Sequence, residues 1–156
     1  MAKPLNLSLR LSPNFMLAEF LESQTGARLG IDNTPSAEVL AHLKETANHL
    51  EVVRRMLGDL PLTISSGFRC AELNKAVGGA AASAHLSGWA VDFNCRRFGT
   101  PLQVAQSLQG RLGYDQLIHE FGAWVHISFD PRGRGEDLTI SKAGTVKGIH
   151  PIKVAA

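Results

Sequence analysis

The sequence lacks any long apolar run and any strong excess of one charge. No stretch of about 18 consecutive apolar residues occurs among its 156 residues, so no membrane-spanning helix is expected. The net charge is only +2, which is compatible with an anionic polymer as partner. No basic stripe with interleaved aromatic residues is present, which argues against a nucleic-acid-binding module. The first residues also lack the continuous apolar core of a signal peptide, so we expect synthesis in the cytoplasm.

Cysteine is scarce as well, since Cys70 and Cys95 are the only two. They are not spaced as a metal-binding pair, and cytoplasmic thiols are normally reduced. We therefore expect two small buried residues rather than a disulfide. The chain also lacks internal repeats and linkers, and its apolar fraction of 44% is typical of globular proteins. A single domain spanning residues 1–156 is expected.

The clearest pattern that is present is helical. Apolar side chains recur every three or four residues between Thr34 and Gly58, which predicts an amphipathic helix capped by Thr34 with Pro35 at its first position. The same threonine–proline pair at 100–101 predicts a helix to about residue 108. Shorter helices are predicted at 17–23 and 71–77, and a loop at 26–33.

Runs rich in β-forming residues dominate the second half of the chain. They lie at 62–65, 89–93, 116–119, 124–129 and 138–140, and the short segment 120–123 outlines a hairpin. Because helices lead and β-runs follow, the predicted fold class is α+β, with N-terminal helices packed on a small central antiparallel sheet. A short strand or extended N-terminal arm (about 1–13) and a weakly ordered C-terminal tail (about 141–156) complete this prediction.

The stretch SAHLSGWAVD at 83–92 contains donors that suit a divalent metal ion. His85 offers an imidazole, and Asp92 offers a carboxylate in an apolar run, where an uncompensated charge would be costly. His126, in the apolar run 124–129, is a candidate third ligand. Two imidazoles and one carboxylate would leave a fourth position open, as in catalytic zinc sites. Spacing alone is weak evidence, because surface histidines and aspartates occur at every separation.

A second pair of histidines, His42 and His49, lies on the long predicted helix. The two residues are seven positions apart and so share one helix face, which makes a metal pair possible. No third ligand follows on that face. We therefore favour a polar flank beside the apolar stripe.

The stretch around His85 resembles a known family. The pattern Ser83-x-His85-x-x-Gly88-x-Ala90-x-Asp92, followed by Trp124-x-His126, is similar to the zinc D-Ala-D-Ala carboxypeptidase family. That family includes D,D-dipeptidases and phage endolysin L-alanyl-D-glutamate peptidases, and its fold is related to the hedgehog signalling domain. The likeness extends upstream to Ser66-Gly67-Phe68-Arg69 and covers roughly residues 14–130.

The resemblance implies a zinc peptidase that hydrolyses peptidoglycan stem peptides, as a carboxypeptidase or an endolysin-type endopeptidase. His85, Asp92 and His126 match the family's ligands for one Zn²⁺ ion per chain. Arg69 matches an arginine that holds a substrate carboxylate, and Ser83 matches a serine that contacts the substrate near the metal. We further expect a monomer that has no stable membrane insertion and acts on the cell wall after release, as a phage lysis enzyme would.

The chain departs from the family at one position. Several members carry the catalytic carboxylate three residues before the last histidine, where this chain has Ala123. A hairpin can fold Glu120 back toward the metal, so we predict Glu120 as the general base, with Asp115 and His119 as alternatives. The same departure leaves open a second hypothesis, in which the chain is a non-catalytic cell-wall-binding or structural module that retains the zinc site.

Overall fold

The computed structural model describes residues 4–153 and has a mixed α+β architecture. The helices are α1 Leu17–Leu21, α2 Gln24–Leu29, α3 Ala37–Met56, α4 Ala71–Ala76 and α5 Pro101–Leu108, with a 3₁₀ helix at Ala84–Ser87. The strands are β1 Arg10–Ser12, β2 Phe15–Met16, β3 Thr63–Ser66, β4 Ala90–Asn94, β5 Gln116–Glu120, β6 Trp124–Ser128, β7 Glu136–Ser141 and β8 Gly144–Lys147. Within residues 4–153, no helix combines the length and apolar character that crossing a bilayer requires.

The chain divides into two compact units. The first consists of Met1–Glu51 with Ile64–Val91, and the second of Val52–Thr63 with Asp92–Ala156. The first unit contains the β1–β2 hairpin, α1, α2, most of α3, α4 and the 3₁₀ helix. The second contains α5 and β5 to β8.

The long helix α3 confirms the amphipathic pattern, but it begins later than predicted. Ser36, not Thr34, is the capping residue, because its hydroxyl accepts the Val39 N–H at 3.2 Å. Thr34 instead donates its hydroxyl to Asp32 at 2.6 Å, within a local turn. The stripe of apolar side chains along the helix is fully buried, as predicted, at Leu43, Ala47, Leu50, Val53 and Leu57.

The loop predicted at 26–33 is wrong in its first part, which belongs to helix α2. Ser23 caps this helix by accepting the Gly26 N–H at 3.1 Å, and Gly30 ends it in the left-handed region at φ 65°. Glycines at 26 and 30 indicated a loop by composition, whereas Gly30 is a helix terminator. The Thr100 cap and the helix that follows Pro101 are confirmed as α5.

The six-stranded sheet has the order β3-β4-β6-β5-β7-β8, and it is mixed rather than antiparallel as predicted. The β5–β6 and β7–β8 pairs are antiparallel, but β5 and β7 are parallel. Because β6 ends beside the start of β5, the connection 129–135 has only to pass that end before β7 runs alongside β5. No crossover helix is needed for this parallel pair.

An ion pair between a buried aspartate and an exposed arginine anchors one end of that connection. Asp115 is fully buried and accepts the Arg134 backbone N–H at 3.0 Å and two guanidinium N–H groups at 2.9 and 2.8 Å. The hydrogen bonds from Arg134 hold the pKa of the Asp115 carboxyl below its usual value. Asp115 therefore fixes the position of Arg134, two residues before β7 begins.

This pairing predicts a stability loss at acid pH. Because the folded-state pKa of Asp115 is lowered, its contribution is complete above the unfolded carboxyl pKa of about 4 and is lost as pH falls through the folded value. We expect Asp115→Asn to lower the free energy of unfolding at pH 7 by about 1–3 kcal/mol, measured by urea denaturation. The variant should also lose part of the wild-type decline below about pH 4. Asp59→Asn, at an exposed 3.5 Å pair with Arg54, is the control and should change little.

The N-terminal segment contains the short strand that its alternation allowed, whereas part of the predicted tail is a strand. Residues 10–12 form β1, which pairs with β2, whereas residues 1–3 lie outside the described part. In the predicted tail, β8 pairs with β7 in antiparallel register from Leu138 with Lys147 to Ser141 with Gly144. The tail prediction is therefore corrected for 144–147, and residues 154–156 are not described.

Candidate metal centre

Three side chains that the sequence analysis proposed as metal ligands come together. One donor atom from each of His85, Asp92 and His126 lies within 4.8 Å of the other two. All three residues are buried, with exposed fractions of 1%, 8% and 7%. Burying two imidazoles and a carboxylate is costly unless a partner compensates them.

His85 is held by the backbone around it. It lies in the 3₁₀ helix, where the Ser83 hydroxyl accepts the His85 backbone N–H at 3.2 Å. The His85 ring Nδ1 lies 2.6 Å from the carbonyl oxygen of Gly67, which can only accept a hydrogen bond. Nδ1 therefore carries the proton, and Nε2 is the ring nitrogen that can act as a metal ligand.

Two glycines make this arrangement possible. A Cβ atom on Gly67 would lie 2.5 Å from the carbonyl oxygen of Phe20, so no larger residue fits beneath His85. Gly88 ends the 3₁₀ helix with φ at 79°, and a Cβ there would lie 3.1 Å from the Val39 oxygen. Glycine at position 88 therefore permits a close approach to the backbone of α3.

His126 and Asp92 form the second part of the cluster. His126 Nδ1 lies 3.0 Å from Asp92 Oδ1, with His126 on β6 and Asp92 on β4. Nδ1 is therefore the His126 atom that faces the carboxylate. Zinc ligands bound at about 2.0–2.2 Å stand a little over 3 Å apart, so this spacing suits a shared metal ion.

Glu120 lies on the same face of the β5–β6 hairpin as His126. The register pairs Glu120 with Trp124 and Ile118 with His126, and side chains of paired residues share a face. Glu120 Oε1 is 4.0 Å from His126 Nδ1, and Glu120 Oε2 accepts the Trp124 indole N–H at 3.0 Å. The hairpin thus returns the carboxylate toward the histidine, although the residue three positions before His126 is Ala123.

The other two candidates for the base are placed elsewhere. Asp115 is engaged by Arg134, as described above, and has no exposed surface. His119 pairs with Val125 in the register, so it lies on the opposite face of the hairpin from His126. Its Nδ1 is 3.0 Å from the carbonyl oxygen of His150. Neither residue is suitably placed to exchange a proton with a group bound at His126.

Arg69 lies close to the first ligand through the backbone. Its N–H donates to the carbonyl oxygen of His85 at 3.1 Å, so the Gly67–Arg69 turn and the 3₁₀ helix are bonded to each other twice. Ser83 is half-buried at the start of the same helix. Its capping role occupies a hydroxyl lone pair and leaves the hydroxyl hydrogen able to donate. The substrate-binding roles of both residues stay predictions.

His42 of the second histidine pair and the two cysteines lie outside the candidate metal centre. The His42 ring stacks on Trp89 at a centroid distance of 4.2 Å, and its Nδ1 contacts the Ser87 carbonyl oxygen at 2.7 Å. Cys70 and Cys95 are both free, as predicted, but only Cys95 is buried, whereas Cys70 is half-buried. Burial raises the pKa of the Cys95 thiol, and the Cys70 sulfur accepts the Leu73 N–H at the start of α4.

The donor set fits zinc. Zinc accepts imidazole nitrogen and carboxylate oxygen, and three protein ligands leave a position for water or substrate. The His85 ring already has the outer hydrogen bond that usually fixes a ligating tautomer. The three residues could therefore hold one zinc ion.

The mixed α+β fold and this His–Asp–His cluster define a candidate metallopeptidase. A family model described as Peptidase M15 matches residues 13–128, most of the chain. The chain therefore belongs to the peptidase M15 family, which confirms the resemblance seen in the motifs. It is also 39% identical over 57 residues to the zinc D-Ala-D-Ala carboxypeptidase of Streptomyces albus G. That alignment covers 36% of this chain and only 22% of the relative's length.

Two further residues of the site were missed by the sequence analysis. The indole of Trp124 orients Glu120, a role that the sequence analysis did not assign to it. Its position across the hairpin from Glu120 is the signal that could have identified it. Asn33 was assigned to a loop, and no local pattern in the sequence indicates its contacts to the Arg69 turn.

Proposed function

We propose that the protein is a zinc-dependent peptidase that hydrolyses peptidoglycan stem peptides. The observation that carries the proposal is a second carboxylate, Glu120, held 4.0 Å from a buried histidine of the candidate metal centre. A structural metal site needs no such group, whereas hydrolysis needs a proton acceptor beside the metal. The family and the named relative support a peptidase and a cell-wall substrate.

Each residue then has a distinct role. His85, Asp92 and His126 hold the metal, which when bound supplies a Lewis acid that activates water and polarises a peptide carbonyl. Glu120 accepts the proton of the attacking water and returns it to the leaving amine, and Trp124 fixes the carboxylate that does so. Arg69 binds a substrate carboxylate through its planar guanidinium group, and Ser83 donates to the peptide.

The proposal includes the setting in which the enzyme acts. A monomer that reaches the cell wall after release, as a phage lysis enzyme does, needs neither nucleic acid nor membrane as a partner. The substrate is then the cross-linked or terminal part of the stem peptide, cut either as a carboxypeptidase or as an endopeptidase.

Digestion of purified peptidoglycan tests this function. We expect zinc-loaded protein to release soluble fragments, and a chelator or His126→Ala to stop the release. Mass spectrometry of the fragments identifies the bond: loss of single D-alanine residues indicates a carboxypeptidase, and longer peptides indicate an endopeptidase. Intact peptidoglycan after prolonged incubation with zinc-loaded protein would reject the proposal.

A non-catalytic cell-wall-binding module is the second candidate. Ala123, at the position where several members of the resembled family carry the catalytic carboxylate, is the observation that favours it. Such a module would sediment with peptidoglycan and release no soluble fragments from it. Replacing Glu120 would leave its binding unaffected.

A further inference from the structure

The side chain of Asn33 forms a bracket around Arg69. Asn33 Nδ2 donates to the carbonyl oxygen of Phe68 at 2.9 Å, immediately before Arg69. Asn33 Oδ1 accepts the backbone N–H of Cys70 at 2.8 Å, immediately after it. The second Nδ2 hydrogen donates to the carbonyl oxygen of Leu21 at 3.2 Å, at the end of α1.

This set of contacts determines the amide orientation. Two carbonyl oxygens need a donor, and one N–H needs an acceptor, so exchanging the oxygen and nitrogen of the Asn33 side chain would break all three bonds. The side chain is half-buried, and both of its Nδ2 hydrogens and its oxygen are used. A single amide therefore ties the turn to the end of α1.

Two backbone hydrogen bonds also anchor the turn, one to α1 and one to the 3₁₀ helix. Phe68 N–H donates to the carbonyl oxygen of Phe20 at 2.7 Å, and Arg69 N–H donates to that of His85 at 3.1 Å. The bonds to Phe20 and His85 join backbone groups and involve no side chain of the turn. Asn33 supplies the contacts on either side of Arg69 that depend on a side chain far away in the sequence.

We propose that Asn33 is a positioning residue for substrate binding, which holds the Arg69 backbone so that its guanidinium group meets a substrate carboxylate. This inference rests on the proposed function, since it assigns Arg69 to a peptide carboxylate. A bidentate guanidinium contact is sensitive to small shifts of the backbone that carries it. Loss of the bracket should therefore weaken substrate binding. His85 should keep its bonds to Gly67 and Ser83, which do not involve Asn33, so we expect zinc to be retained.

The test compares Asn33→Ala and Asn33→Asp with the control Thr34→Ala. The aspartate keeps an acceptor for Cys70 but turns a carboxylate oxygen toward two carbonyl oxygens, so both Asn33 variants should fail. Thr34 is the next residue and bonds only locally to Asp32, so its loss should change little. With a synthetic peptide ending in D-Ala-D-Ala, we expect KM to rise about tenfold or more in the Asn33 variants, with zinc content unchanged.

Combination with Arg69→Lys separates positioning from a general structural role. If Asn33 acts through Arg69, Asn33→Ala should change kcat/KM by less than about threefold once Arg69 is lysine. The inference would be overturned if Asn33→Ala lowered kcat/KM by the same factor in the Arg69→Lys background as in the wild type. It would also be overturned if Asn33→Ala changed only kcat, or if its kinetics equalled those of Thr34→Ala. Hydrogen exchange provides a readout without activity, because the Cys70 amide should exchange faster in Asn33→Ala and at the wild-type rate in Thr34→Ala.

A wild-type protein that turns no peptide over would reject the proposed function separately. The inference is then tested by measuring the dissociation constant of the same peptide. Asn33→Ala and Arg69→Lys should raise this constant by similar factors. A wild type that does not bind the peptide, or an Asn33→Ala variant that binds it equally well, would overturn the inference.

Discussion

Replacing His126 with alanine should remove both the metal and the peptidase activity. The wild type should contain about one zinc ion per chain after purification with zinc, and the variant less than about a tenth of that, measured by elemental analysis. His126 is 7% exposed and its Nδ1 faces Asp92 at 3.0 Å, so its replacement removes the imidazole donor that β6 supplies to the cluster. Two remaining ligands would bind zinc far more weakly than three.

The control for this experiment is His150→Ala, at an exposed histidine whose ring contacts the Lys147 carbonyl oxygen at 2.7 Å. It should retain zinc and activity, which excludes a general effect of losing one imidazole. Circular dichroism should show that His126→Ala remains folded. A His126→Ala protein with full zinc content would show that the assignment of the metal centre is wrong.

The parts of the fold that were predicted correctly carry local signals. The Thr100 cap followed by Pro101 determines where α5 begins, and a short turn between two β-rich runs defines the β5–β6 hairpin. The long apolar stripe identifies α3, although its start was placed too early because Thr34 and Ser36 are both possible caps. In each case the deciding interactions lie within a few residues of one another.

The parts that were missed depend on contacts between distant residues. The parallel pairing of β7 with β5 is closed by Asp115 and Arg134, and nothing in either local sequence indicates that pairing. The same applies to Asn33, whose three partners lie at residues 21, 68 and 70. A buried polar side chain that bonds to backbone groups leaves no periodicity in the sequence.

The candidate site was predictable to a different extent at each residue. His85 and Asp92 lie within one short motif, so their likeness to the family identified both. His126 required the second motif, and the structure places the three donors together. Glu120 was inferred from hairpin geometry, and the register explains why: an odd-numbered neighbour such as His119 necessarily lies on the other face.

Replacing Glu120 with glutamine should lower kcat by about 10²–10⁴-fold and leave zinc bound. Glutamine has nearly the same size, and its amide oxygen can still accept the Trp124 indole N–H, so the hairpin should keep its structure. What the variant loses is the ability to take up a proton 4.0 Å from His126 Nδ1. The measurement is steady-state turnover of the D-Ala-D-Ala peptide at matched zinc content, with a urea denaturation curve for each protein.

Asp115→Asn and His119→Ala are the matched comparisons, because both were alternatives for the same role. Asp115→Asn should reduce stability and leave kcat near the wild-type value once the folded fraction is taken into account, since its carboxylate is bound to Arg134. His119→Ala should also leave kcat little changed, because its ring contacts the His150 carbonyl oxygen on the opposite face of the hairpin. If either abolishes turnover while Glu120→Gln stays within about threefold of wild type, a barrier change of roughly 0.65 kcal/mol, the proton passes through another group.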